Sequence, residues 1–205
     1  MNSARRRGAT WALVAAATAS ALSGCSSDDD SDGRAGDPTS VVEGVDALGT
    51  TVQAGKLVGE LDRAKHDRVL AKVGDVVDGW IDAAYVGGNY PRSDFDDAFP
   101  GFSEGAAEDA RGDLDLTTNA RLGEQSEAVE ALRRRVTIDV LAAHGVAQGA
   151  TARVVLAYAT AGESPQLVKV TGRLFLTYQQ GWTVFGYDLS RAARPYDSAE
   201  QESTS

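Results

Sequence analysis

"VTIDVLAAHGVAQGATARVVLAYATAGESPQLVKVTGRLFLTYQQGWTV" (residues 136–184) determines the architecture, because its apolar side chains recur at every second position. This alternation is typical of β-strands with one buried face. Three interruptions, "AHGVAQG", "TAGESPQ" and "QQG", are rich in turn-forming residues. We therefore predict four successive strands with short connections, an antiparallel meander. The buried face is predicted to carry Val136, Ile138, Val140, Ala152, Val154, Leu156, Tyr158, Val168, Val170, Leu174, Leu176, Trp182 and Val184.

The residues before the meander follow a helical period. Between 62 and 85 the apolar side chains recur at intervals of three and four, and Gly87 then ends the pattern. Ser103 is placed to cap a further short helix, and residues 51–61 fit either a strand or an irregular arm. Helix and meander each have one apolar face, so the sequence predicts a single α+β domain over 41–193. In it, a long N-terminal helix and short helices pack on a curved, cone-like sheet of four antiparallel strands.

The second face of the predicted sheet also carries aromatic residues. If "QQG" closes a tight hairpin, Phe175 lies opposite Phe185 and Arg173 lies opposite Tyr187. An aromatic pair on a face that the long helix does not use requires a cover. Residues 51–61, a second copy of the chain in a homodimer, or a protein partner are the alternatives.

A basic stripe accompanies these aromatic residues in a chain whose net charge is -10. It is either a solvated face or a surface that docks an acidic partner. The stripe consists of Arg133, Arg135, Arg153, Lys169 and Arg173.

The N-terminus has the organisation of a secretory signal. Three arginines precede an alanine-rich apolar run that ends in "LSGC" at Cys25, the only cysteine of the 205 residues. The run is too short for a spanning helix of about 20 residues. We expect a signal peptide over 1–24 and a disordered acidic tether over 25–40, because the latter contains no large apolar residue. A disordered tail is predicted over 194–205.

"LSGC" resembles the lipobox of bacterial lipoproteins, and that resemblance implies that Cys25 is diacylated and becomes the mature N-terminus. An ordinary signal peptide with an incidental free cysteine is the alternative. A helix followed by a meander looks like the nuclear-transport-factor-2-like, or cystatin-like, fold. Together with the lipobox, "DGWIDAAYVGGNYPRSDFDDAFPGF" (78–102) and "GWTVFGYDL" (181–189) resemble actinobacterial lipoproteins associated with mammalian-cell-entry systems.

The same fold resemblance implies a place for a pocket, in the cone between helix and sheet. Tyr158, Trp80 and Tyr90 are the residues expected to line it. Isomerases and dehydratases of this fold set acids and tyrosines there, which makes Asp94 and Asp97 further candidates by type. Asp139 is a weaker candidate, because its position in the alternation places it on the second face.

Composition narrows the functional classes. The net charge of -10 argues against a general nucleic-acid binder. One cysteine and two distant histidines give no metal-ligand spacing, and no cofactor motif occurs. The sequence favours a non-enzymatic interaction or accessory lipoprotein, anchored to the outer face of the cell membrane. A small-molecule or lipid-binding module is the alternative, and an isomerase- or dehydratase-like enzyme a third.

Overall fold

Five strands form one mixed sheet in the order β1-β2-β3-β4-β5, in a computed structural model that describes residues 48–197. The described residues belong to one compact unit, and its class is α+β, as predicted. The strands are β1 (Thr51–Val58), β2 (Ala128–Ala143), β3 (Val146–Ala161), β4 (Gln166–Tyr178) and β5 (Trp182–Pro195). The helices are α1 (Arg63–Ile81), α2 (Glu104–Gly112), α3 (Leu114–Thr117) and α4 (Ala120–Gly123).

The four strands predicted from the alternation are present as β2 to β5, and neighbouring strands pair antiparallel. The predicted count of four strands is nevertheless wrong, because β1 adds a fifth strand parallel to β2. β1 occupies the sheet edge, and its register shifts between Ala54 and Leu57. Within this shift Asp139 accepts a hydrogen bond from the backbone N–H of Lys56 at 2.6 Å. A carboxylate from β2 thus satisfies a backbone donor beside the irregularity.

The long helix is present, but it is not the first element of the domain, because β1 precedes it. Asp62 caps α1 by accepting a hydrogen bond from the Lys65 N–H at 2.8 Å. Regular α-helix ends at Ile81, and one π-helical turn, Asp82–Val86, continues the chain to Gly87. None of the helices described here is long and apolar enough to cross a membrane.

The start of α2 agrees with the prediction from the sequence. Ser103 caps α2, its hydroxyl accepting from the Ala106 N–H at 3.3 Å, as expected. Residues 95–99 form no helix. Asp94 instead accepts a hydrogen bond from the Asp96 N–H at 2.9 Å in a local turn, since a short acidic side chain readily bonds to the backbone two residues on.

The core lies between the helices and one face of the sheet. Trp80 and Tyr85 from the helical layer and Leu156 and Leu174 from the sheet are fully buried. The face predicted from the alternation is therefore the face that the helices cover. β5 continues through Pro195, which pairs with Gln166, so ordered structure extends two residues beyond the predicted end at 193.

Candidate functional site

The residues expected to line a pocket lie in the core. Trp80 and Tyr158 have no exposed surface, and Tyr90 is half-buried. The Trp80 ring stands edge-on to Tyr85 with 5.3 Å between ring centroids, and the Tyr85 and Tyr158 centroids are 5.9 Å apart. Aromatic contacts therefore fill the space between helix and sheet at these residues.

A chain of polar contacts crosses this aromatic core. The Tyr158 hydroxyl donates to Asn119 Oδ1 at 2.8 Å, and Asn119 Nδ2 donates to the Tyr90 hydroxyl at 3.3 Å. Tyr90 in turn donates to the Tyr85 carbonyl at 2.5 Å. Arg191 Nη2 donates to Asn119 Oδ1 at 3.2 Å and to the Tyr158 hydroxyl at 3.3 Å. These partners satisfy the buried hydroxyls, so the cluster stabilises the core.

Burial controls the ionisation of this cluster. It raises the pKa of the Tyr85, Tyr90 and Tyr158 hydroxyls, because a phenolate loses its hydration in the core. The nearby Arg191 cation opposes this rise in the pKa of Tyr158. The three hydroxyls therefore stay neutral near pH 7 and act as hydrogen-bond donors to partners within the protein.

The raised pKa values predict loss of stability in alkali. Below about pH 10 the tyrosines are neutral in the folded and unfolded chains alike, so their contribution is fully present. Above it the unfolded chain ionises first, and each buried tyrosine lowers the free energy of unfolding by up to about 1.4 kcal/mol per pH unit. We expect phenolate absorbance from Tyr85 and Tyr158 to appear together with loss of circular dichroism. Tyr158→Phe should reduce the pH dependence. Phenolate absorbance from these residues before unfolding would contradict the prediction.

The acidic candidates lie outside this cluster. Asp94 and Asp97 are exposed and belong to no helix. Asp139 lies on the second face of the sheet, as its position in the alternation predicted. Its carboxylate accepts two hydrogen bonds, one from the backbone N–H of Lys56 and one from Arg153 Nη2 at 3.1 Å.

The sheet face that the helices do not cover, here called the open face, carries the predicted aromatic pair. Phe185 is 57% exposed, and its ring centroid lies 6.4 Å from that of half-buried Phe175. The neighbouring exposed side chains are Val58 and Leu141. These four residues contribute to the lining of an apolar depression of about 440 Å³.

The predicted pairing across the last hairpin is wrong by one residue. A bulge in β5 sets Phe175 opposite Gly186 and Arg173 opposite Asp188. An extra residue reverses the direction of the side chains that follow it. Tyr187 therefore leaves the predicted interface and packs against the core on the helical side, where its hydroxyl donates to Asp113 Oδ2 at 2.9 Å. Burial and this carboxylate raise the pKa of Tyr187 to about 12.

The charged groups of the open face are of both signs. Arg153 pairs with Asp139 at 3.1 Å, and Arg173 pairs with Asp188 at 3.6 Å. The predicted basic stripe is thus neutralised in part by carboxylates on adjacent strands. These exposed pairs contribute little to stability, and Asp139 is the one of the four residues that lines the apolar depression.

β1 does not cover the aromatic pair. It pairs edge to edge with β2 in the plane of the sheet and contributes Val58 to the wall of the depression. Of the three covers considered from the sequence, residues 51–61 are therefore excluded at this position. A second copy or another protein remains.

Sequence reasoning missed one buried cation, Arg134, which joins the sheet to α1. Its guanidinium donates to Asp78 Oδ1 at 2.6 Å and to Asp82 Oδ1 at 2.7 Å, and its Nε donates to the Thr50 hydroxyl at 3.0 Å. Two features of the sequence could have indicated this contact. Arg134 has a core-facing position in the alternation, and Asp78 and Asp82 are four residues apart, on one side of a helix. The arrangement anchors the helix on the sheet.

Comparison of the chain with protein-family models, curated proteins and solved structures finds no match in any of the three. The geometry described above therefore carries the functional argument. The likeness to lipoproteins with a nuclear-transport-factor-2-like domain stays a prediction.

Proposed function

We propose that this protein is a membrane-anchored extracytoplasmic lipoprotein that acts as a non-enzymatic interaction or accessory module through its open face. The observation that supports this most directly is the exposed Phe185 ring beside Phe175 in an apolar depression. An exposed aromatic ring within an apolar patch is characteristic of an interaction surface. The lipid anchor at Cys25 and the cone-like fold belong to the same proposal, and Cys25 lies outside the described residues.

A second copy of the chain is the occupant that the charges favour. The open face carries Arg153 and Arg173 beside Asp139 and Asp188, so two copies related by a twofold axis can set cations against carboxylates. A twofold interface requires such a self-complementary surface. The two phenylalanines supply the central apolar contact.

Phe185→Glu is expected to weaken self-association about tenfold or more, because it places a carboxylate in the apolar centre of the contact. Stability should change little, since the side chain is mostly exposed. Analytical ultracentrifugation of the full chain carrying Cys25→Ser provides the measurement. Tyr178→Glu is the matched control, an exposed aromatic residue of β4 outside the depression. An unchanged dimerisation constant in Phe185→Glu, or equal weakening in both variants, would remove the open face as the contact.

The alternative functions considered from the sequence depend on the interior between helix and sheet. There Trp80 and Tyr158 are fully buried, and the Tyr158 hydroxyl is already bonded to Asn119. This packing favours the interaction module over a ligand pocket or an isomerase-like site at these residues. A ligand site elsewhere on the domain has separate support.

A further inference from the structure

We propose that a groove beside α1 binds one molecule of an anionic amphiphile, an elongated apolar chain ending in a single carboxylate or phosphate. The groove lies between the first part of α1 and the ends of two hairpins, β2–β3 and β4–β5, and has a volume of about 650 Å³. This volume is typical of small-ligand sites. None of Trp80, Tyr90 and Tyr158 lines it, so it is distinct from the pocket expected between helix and sheet. The inference depends on neither the anchor nor the open face.

Apolar side chains line the groove at positions where hairpin ends are ordinarily polar. Val146, in the first position after the β2–β3 turn, is 53% exposed, and so is Tyr178, just before the β4–β5 turn. The Tyr178 ring lies edge-on to Trp182 with centroids 5.5 Å apart. The remaining apolar lining residues are Leu61, Val69, Val76 and Ala147. Together they form a continuous surface for a chain of methylene groups.

Three cations of α1 border this apolar surface. Lys65, Arg68 and Lys72 are three and four residues apart, so they project from one side of the helix along the groove. The two lysines form exposed ion pairs, Lys65 with Asp62 at 3.2 Å and Lys72 with Asp75 at 3.3 Å. Arg68 forms no ion pair within 4 Å among residues 48–197, and it acts on the Asp62 carboxylate only at longer range.

The charge of the groove specifies the head group of the ligand. Its lining contains three cations and one carboxylate, Asp75, in a chain of net charge -10. A guanidinium without a carboxylate partner binds carboxylates and phosphates through paired N–H donors. The single Arg68 guanidinium beside the apolar groove therefore fits a ligand with one anionic end. An acidic peptide, in contrast, would bring several charges onto a mostly apolar lining.

The test compares three amphiphiles of equal chain length that differ in head-group charge. Dodecanoate, dodecyltrimethylammonium and dodecyl maltoside are titrated calorimetrically, each below its micellar concentration, into the full chain carrying Cys25→Ser, which has no thiol to acylate. We expect dodecanoate to bind at least about tenfold more tightly than the cationic amphiphile. Arg68→Glu should weaken dodecanoate about tenfold and leave the maltoside unchanged. Arg68→Gln should give a smaller loss.

Tyr178→Glu should weaken all three ligands, because it changes the apolar wall they share, whereas Phe185→Glu on the open face should weaken none. Equal affinity for the anionic and cationic amphiphiles, or dodecanoate binding that is indifferent to Arg68→Glu, would overturn the proposal. Sedimentation with vesicles of phosphatidylglycerol provides one further comparison. Binding to these vesicles without binding of monomeric dodecanoate would identify a membrane-contact surface and would likewise overturn it. A failure here leaves the dimerisation test of Phe185→Glu unaffected.

Discussion

Trp80→Ala is expected to lower the free energy of unfolding by about 3–5 kcal/mol, which is the usual cost of truncating a fully buried aromatic side chain. Trp80 has no exposed surface, and it contacts Tyr85 at 5.3 Å and Phe102 at 6.1 Å between ring centroids. Loss of the indole would leave a cavity between α1 and the rings of Tyr85 and Phe102. Urea unfolding followed by circular dichroism measures the loss.

Trp80→Phe separates the contribution of packing from that of polarity. The Trp80 indole N–H is buried without a hydrogen-bond partner among the described residues, and an unsatisfied buried donor is itself destabilising. In Trp80→Phe, removal of this unsatisfied N–H offsets part of the stability lost with the smaller ring. Trp80→Phe should therefore lower the free energy of unfolding much less than Trp80→Ala. Phe185→Ala, which truncates an exposed ring, is the control for general effects of losing an aromatic side chain. A loss of less than about 1 kcal/mol in the free energy of unfolding of Trp80→Ala would contradict this packing and would indicate that Trp80 lines a cavity.

Periodicity predicted the elements whose burial is one-sided. The alternation of Val136, Ile138 and Val140 gave the buried face of β2 correctly, because these side chains face the helices. β1 could not be assigned in the same way. It lies at the sheet edge with most side chains exposed, so no buried face imposes an alternation on its sequence. Its parallel pairing with β2 also depends on residues about 80 positions away.

The direction of Tyr187 shows how one local irregularity propagates. Simple alternation from Phe185 places Tyr187 on the open face, whereas the bulge places it on the helical side. Gly186 between them was the available signal, because a glycine within a strand often marks a bulge. Alternation therefore predicts which face a side chain occupies only within a stretch of strand that contains no bulge.

The polar cluster could not be predicted from spacing. Tyr158 reaches Asn119 from 39 positions away, and Arg191 reaches Tyr158 from 33. Asn119 precedes a four-residue helix in a segment without strong periodicity, and Arg191 lies beyond the bulge that reverses its direction. The type of residue was informative, since a tyrosine with core-facing parity requires a hydrogen-bond partner. The identity of that partner follows only from the assembled fold.

Cys25→Ala is expected to abolish incorporation of a labelled fatty acid, because it removes the group that is acylated. The prediction rests on the sequence, since residue 25 lies outside the described residues. Cys25 is the only thiol of the chain, and cleavage before it would remove three arginines and no acid. The mature protein would then be still more acidic and would be repelled by anionic head groups. Lipid is therefore the expected source of membrane affinity, and stable anchoring takes two acyl chains.

Metabolic labelling in a bacterial host, followed by gel electrophoresis of the recovered protein, measures this effect. Ser23→Ala is a suitable control, because it keeps a small residue near the predicted cleavage site and retains the thiol. It should be labelled like the unchanged chain. Labelled fatty acid on Cys25→Ala would contradict the anchor.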